Sequence, residues 1–141
     1  MELLRLALTA PRFDADAVDR VKGQVLAGLR AEAQDPSDIA AKLARARSFG
    51  EHPYGSSGDG TIDSVTALTR DVVVAAWQGA MARDRIYVAA AGDITAVELG
   101  ALLDKLLSDL PETGWPMPPR ATRNEAGGVH VAPFPGPQSV V

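Results

Sequence analysis

Side chains able to hold a metal, move a proton or attack a carbonyl are few in this 141-residue chain: two histidines, His52 and His130, no cysteine, and scattered acids and serines. The two imidazoles lie far apart in sequence, His52 in a turn and His130 between two valines, whereas a zinc pair needs ligands brought to one face by close spacing. Without cysteine there is no disulfide, no thiolate metal site and no thiol nucleophile. Glu32, Glu51 and Asp59 have no visible carboxylate partner, so paired acid-base catalysis lacks its second group. Ser56, Ser57 and Ser64 lie near His52 in sequence, but a triad also needs an orienting acid, and serine suits such a loop for turn reasons alone. The stretch from Gly55 to Gly60 follows no strand and lacks a Gly-Lys-Ser/Thr ending, so it is not a phosphate loop. His52, beside Pro53 and Gly55, fits a residue bonded to local backbone, with a substrate-loop contact as the alternative. Tyr54 fits a packed aromatic with its hydroxyl at the surface.

The elements around these residues follow from periodicity and from start and stop signals. Residues 3–8 read as a short apolar helical segment closed by Pro11. Phe13-Asp14 then reads as a helix start, with Asp14 capping and Phe13 placed to pack on Val18. Val18, Val21, Val25, Leu26 and Leu29 repeat at helical spacing and give one apolar face. Asp35-Pro36 predicts a second helix, because aspartate accepts from orphan amides and proline suits the first turn. Ile39, Leu43 and Ala46 mark its buried side and Gly50 its end. A glycine-rich loop with Gly55, Gly58 and Gly60 follows. Residues 61–68 read as a short helix, and Thr69 caps another through Val72, Val73, Ala76, Trp77 and Ala80, with Trp77 read as core. The apolar run Ile86-Tyr-Val-Ala-Ala-Ala91, bounded by charge and glycine, predicts a central strand. Thr95 and Glu98 have capping-box spacing ahead of a stripe of Val97, Leu99, Leu102, Leu103, Leu106 and Leu110. Beyond Pro111 proline and glycine crowd the chain, with a short strand expected at Gly128-Val-His-Val-Ala132 and an apolar run resuming at Gln138-Ser-Val-Val141.

At 46% hydrophobic and 23% charged residues, the chain reads as one soluble domain with a core. A formal net charge of −4, with acids interspersed among Arg20, Arg30, Arg45, Arg47 and Arg70, argues against nucleic acid as a partner. No apolar run is long enough for membrane insertion, and the opening residues lack the pattern of a secretory leader. The compartment stays open between periplasm and cytoplasm, and if the protein is exported its signal is expected upstream.

Several short motifs point one way. His52-Pro-Tyr-Gly55 with Gly60-Thr61, Leu68-Thr-Arg-Asp-Val72, Ala91-Gly-Asp-Ile94 and Phe134-Pro-Gly-Pro-Gln138 together resemble the pitrilysin and insulinase family of zinc peptidases, which includes mitochondrial processing peptidase and bacterial two-subunit relatives. The resemblance runs from about Pro11 to Val141. It implies an α+β fold with helices packed on a β-sheet, residues 1–112 forming the later part of an amino-terminal half-lobe. Residues 113–141 would be a Pro/Gly-rich linker and strand leading into the next half-lobe. The family's His-x-x-Glu-His zinc sequence is absent from this chain and would lie upstream.

The family's third zinc ligand is a glutamate in a Val-Leu-x-Glu-Ile type sequence before an Asp-Pro break. Here Val25-Leu-Ala-Gly-Leu29 precedes Asp35-Pro36, so the ligand position falls on Gly28, which has no side chain; Glu32, one turn on, is the alternative ligand. The resemblance therefore implies no metal and no catalytic residue in this chain, with zinc held by the partner subunit or elsewhere in the family. It implies a non-catalytic subunit that pairs with a catalytic peptidase subunit or second lobe and helps enclose a peptide substrate. The alternatives are an active zinc endopeptidase whose metal motif lies upstream, and a protein-interaction domain with no peptidase role.

Overall fold

Helix starts are fixed first by side-chain oxygens that answer amides with no acceptor in their own helix. The computed structural model describes residues 2–124 and 127–136. In chain order they form α1 (Glu2–Thr9), α2 (Ala15–Glu32), α3 (Pro36–Phe49), a 3-10 turn at Pro53–Gly55, α4 (Ile62–Ala67), α5 (Arg70–Ala80), a 3-10 turn at Arg83–Arg85, and α6 (Ala96–Leu107). Asp35 Oδ1 accepts from the Ser37 and Asp38 amides at 2.8 and 3.2 Å, with Pro36 in the first turn of α3. Thr61 and Ser64 cap α4 reciprocally, and Thr69 accepts from the Val72 amide at the start of α5. At α6 the Thr95 amide and hydroxyl donate to Glu98 Oε2 at 2.9 and 2.7 Å, while Thr95 Oγ1 accepts from the Glu98 amide. The hydroxyl and amide of Thr95 hold the Glu98 carboxyl below the usual carboxylate range.

The chain divides into two compact units, one of residues Met1–Ala15 with Thr69–Pro116 and one of Asp16–Leu68 with Met117–Val141. In the first, α1 packs on α6, and Arg5 joins them by donating to Asp109 Oδ2 at 2.6 Å while pairing with Glu2 at 3.0 Å. Ala82, Leu106 and Leu110 are its buried apolar side chains among the described residues. Phe13 has φ 47°, a left-handed backbone unusual for an aromatic residue. The Arg70 guanidinium donates to the carbonyls of Phe13 and Arg12 at 2.8 and 3.2 Å, and the Phe13 ring meets Trp77 edge-on at 5.9 Å. Asp14 is ion-paired with Arg12 at 2.8 Å.

A polar clasp closes this unit. The Arg83 and Asp84 amides donate to the carbonyls of Pro111 and Glu112 at 2.9 and 3.1 Å, and Trp115 donates its amide to Gly79 O at 2.8 Å. Arg85 donates to Asp84 at 3.0 Å and to Trp115 O at 2.8 Å. Arg85 and the Gly114 amide hold the Asp84 carboxyl below its ordinary range. The Trp115 indole lies so close over Gly79 that an added Cβ there would overlap the ring.

In the second unit α3 ends at Gly50, whose φ of 53° and ψ of −127° suit glycine, and the Gly50 amide donates back to Ala46 O. Lys22 Nζ donates to Thr66 O and Leu68 O at 2.7 and 2.9 Å, so an ammonium answers carbonyls at the end of α4. Leu29 and Val65 are buried here.

The structure corrects the expected α+β class: the described residues form helices and turns, with no strand and no sheet for the helices to pack on. Ile86 leaves the Arg83–Arg85 turn in extended conformation, φ −100° and ψ 127°, but β-conformation becomes a strand only when a second strand supplies the hydrogen-bond ladder. No described segment does so, and Tyr87 is 97% exposed. Residues 128–132 likewise form no strand, with Val129 92% exposed. Ala46 is exposed on α3 while Ile39 and Leu43 are half-buried, and Val97 is exposed on α6. The apolar run at 138–141 lies outside the described residues.

Two substitutions test the clasp by thermal unfolding. Gly79→Ala is expected to cost about 1–3 kcal/mol, the range for forcing a methyl into filled space. A carboxyl whose folded pKa is depressed stabilises above its unfolded pKa and ceases to as pH falls through the folded value. The melting-temperature deficit of Asp84→Asn relative to wild type should therefore be full at pH 7 and shrink as pH falls into and below the ordinary aspartate range.

Candidate functional site

Helical spacing puts Gln24, Gly28 and Glu32 on one face of α2, each four residues from the next. With Val25 and with Asp59 from the glycine-rich loop, they line an open depression of about 310 Å³. The structure thus brings together both α2 positions singled out in the sequence, and adds Asp59. A Cβ on Gly28 would meet nothing within 4 Å, so neither packing nor a positive φ requires glycine there. Glu32 points its Oε2 at Lys42 Nζ of α3, 2.9 Å away, and both side chains are about one-third exposed, 29% and 34%.

These donors do not fit a zinc site. Gly28 offers nothing, Glu32 has its charge answered by Lys42, and Asp59 is the remaining carboxylate; no cluster of three or more His, Cys, Asp or Glu suited to a metal occurs among the described residues. Neither histidine is beside this depression. His130 lies in the extended stretch near Gly128, exposed.

His52 is held at both ring nitrogens. Its Nδ1 accepts from the Tyr54 amide at 3.2 Å, capping the Pro53–Gly55 turn, and its Nε2 lies 2.9 Å from the Pro119 carbonyl. A carbonyl can only accept, so Nε2 carries the proton. The Tyr54 ring sits edge-on to His52 at 4.9 Å and to Phe49 at 5.8 Å, and Tyr54 is 62% exposed. Gly55 lies against the Gly50 backbone, where a Cβ would overlap the Gly50 carbonyl oxygen. Ser56 and Ser64 are spent locally, Ser56 donating to Pro53 O and Ser64 capping with Thr61, which leaves neither bonded to His52.

In the first unit a hollow of about 610 Å³ is walled by Trp77, Met81, Leu110 and Trp115; the acid at its edge, Asp109, is already paired with Arg5. Sequence reasoning missed the Lys42 partner of Glu32, the Asp59 approach and the Pro119 acceptor of His52. Each joins residues of different elements, for which spacing along one element carries no signal.

No protein-family model matches the chain. Over 92 residues, or 65% of the chain, it is 32% identical to an uncharacterized zinc protease of Mycobacterium leprae (strain TN). It spans 21% of that relative's length. The crystal structure of a peptidase M16 inactive domain from Pseudomonas fluorescens matches it with a TM-score of 0.71 at 28% identity, over 78% of this chain and 27% of that one. These two likenesses support the M16 peptidase family for this chain, in line with the resemblance of its motifs.

Two changes at the depression separate its residues. Gly28→Ala should stabilise the protein by about 0.5–1 kcal/mol in chemical denaturation, because alanine favours an open mid-helix position. Glu32→Gln should cost no more than about 1 kcal/mol, the range of partly exposed ion pairs, and less in high salt.

Proposed function

We propose that this chain is part of a non-catalytic member of the zinc-peptidase family, pairing with a catalytic subunit or lobe and helping to enclose an extended peptide. Residues 1–112 would belong to the helical portion of the peptidase-like lobe, and 113–141 to the passage toward the next one. The observation that carries the reading is Gly28: the position that the motif resemblance matches to the family's third metal ligand has no side chain although its surroundings leave room for one, and Glu32, one turn on, is paired with Lys42. The solved relative's description as an inactive domain agrees with this reading. Zinc would then be held by the partner, and the contribution of this chain would be surface and closure, not a reacting group.

The test uses the native protein that carries this chain, purified with and without its peptidase partner. Expected results are no stoichiometric zinc and no peptide hydrolysis alone, and co-purification with an active family member. Stoichiometric zinc together with activity that Glu32→Gln abolishes would show a working ligand on α2 and overturn the proposal. Absence of any peptide or peptidase binding would favour a plain interaction domain.

A further inference from the structure

The proline-rich segment at 117–124 reads in the sequence as linker, yet within the second unit hydrogen bonds fasten it to described residues at two points. The Asn124 amide donates to Ser48 O at 2.7 Å, at the end of α3, and His52 Nε2 donates to Pro119 O at 2.9 Å. Both fastenings land on the same small structure: α3 stops at Gly50, the chain turns through Glu51, and His52 caps the next turn. The imidazole works in two directions at once. Its Nδ1 orders the turn that carries it, and its Nε2 reaches out to the segment at 117–124.

We propose that residues 117–124 are a docked strap and that His52 is its fastening point, so that the His52 side chain sets whether this segment lies against α3 or swings free. Physical bookkeeping favours a strap close to release. Pro118 and Pro119 have no amide to donate, so this stretch has fewer backbone donors than an ordinary one. Most of its residues are exposed, with Ala121 half-buried. Few buried contacts and few hydrogen bonds place a segment at the low end of local stability. Removal of a single hydrogen bond of ordinary strength then changes the open population about five-fold. The inference is independent of the peptidase reading, since it concerns how one segment of this chain is held.

Trypsin reads the strap directly, because Arg120 and Arg123 lie in it and both are exposed, while Arg45 and Arg47 on α3 in the same unit serve as controls. His52→Asn keeps a short side-chain acceptor for the Tyr54 amide but cannot span to Pro119, whereas His52→Gln places an amide donor at a reach similar to Nε2. In limited proteolysis of the native protein, His52→Asn should raise cleavage after Arg120 and Arg123 about five-fold with Arg45 and Arg47 unchanged. His52→Gln should stay near wild type. Hydrogen exchange at the Asn124 amide should follow the same order. Equal cleavage in wild type and His52→Asn would overturn the proposal, and so would an increase shared by all four arginines, which would mark general unfolding instead of strap release.

Discussion

A backbone amide or carbonyl must find a partner, and in this chain that requirement shapes more of the structure than burial does. Five apolar side chains are buried among the described residues, Leu29, Val65, Ala82, Leu106 and Leu110. With so little core, the ends of the helices are set by short side chains that answer orphan groups: Asp35, Thr61, Thr69 and Thr95 at starts, Lys22 at the end of α4. The same rule explains the segment at residues 86–91. Its sequence favours extended backbone, but no strand among the described residues supplies a ladder, and Tyr87 and Val88 stay exposed.

The clasp and the turn at His52 are two further answers to that requirement, built from long-range contacts. In the first unit, Arg85 and Asp84 tie the Arg83–Arg85 turn to residues 111–115, and the bare surface of Gly79 lets the Trp115 ring close over it. In the second, His52 uses one nitrogen for its own turn and the other for a carbonyl sixty-seven residues away. A histidine committed at both nitrogens has no lone pair left for a metal, which fits its reading as a structural residue.

Gly28 carries the functional argument for a different reason. Glycine in the middle of a helix costs stability unless something requires it, and here neither crowding nor backbone conformation does. The depression beside it holds Glu32 and Asp59, and Lys42 compensates the Glu32 charge. A carboxylate already paired with an ammonium is a poor metal donor, because binding would have to break that pair and strand the lysine. The chain's likeness to an M16 inactive domain agrees with the proposal drawn from this position.

The sequence by itself determined the local events. Asp35-Pro36, Gly50, Thr61, Thr69 and the Thr95-Glu98 pair predict helix starts and stops that the structure has, because capping acts over three or four residues and its signals sit next to its effects. The motifs around His52 and Gly60 pointed toward the peptidase family for the same reason, being short and contiguous. Only the tertiary structure decided that Ile86-Tyr-Val-Ala-Ala-Ala91 meets no strand among the described residues, that Ala46 and Val97 face water, that Lys42 meets Glu32, and that His52 reaches Pro119. Each depends on which distant residue arrives alongside, and composition and periodicity describe a segment without its neighbours.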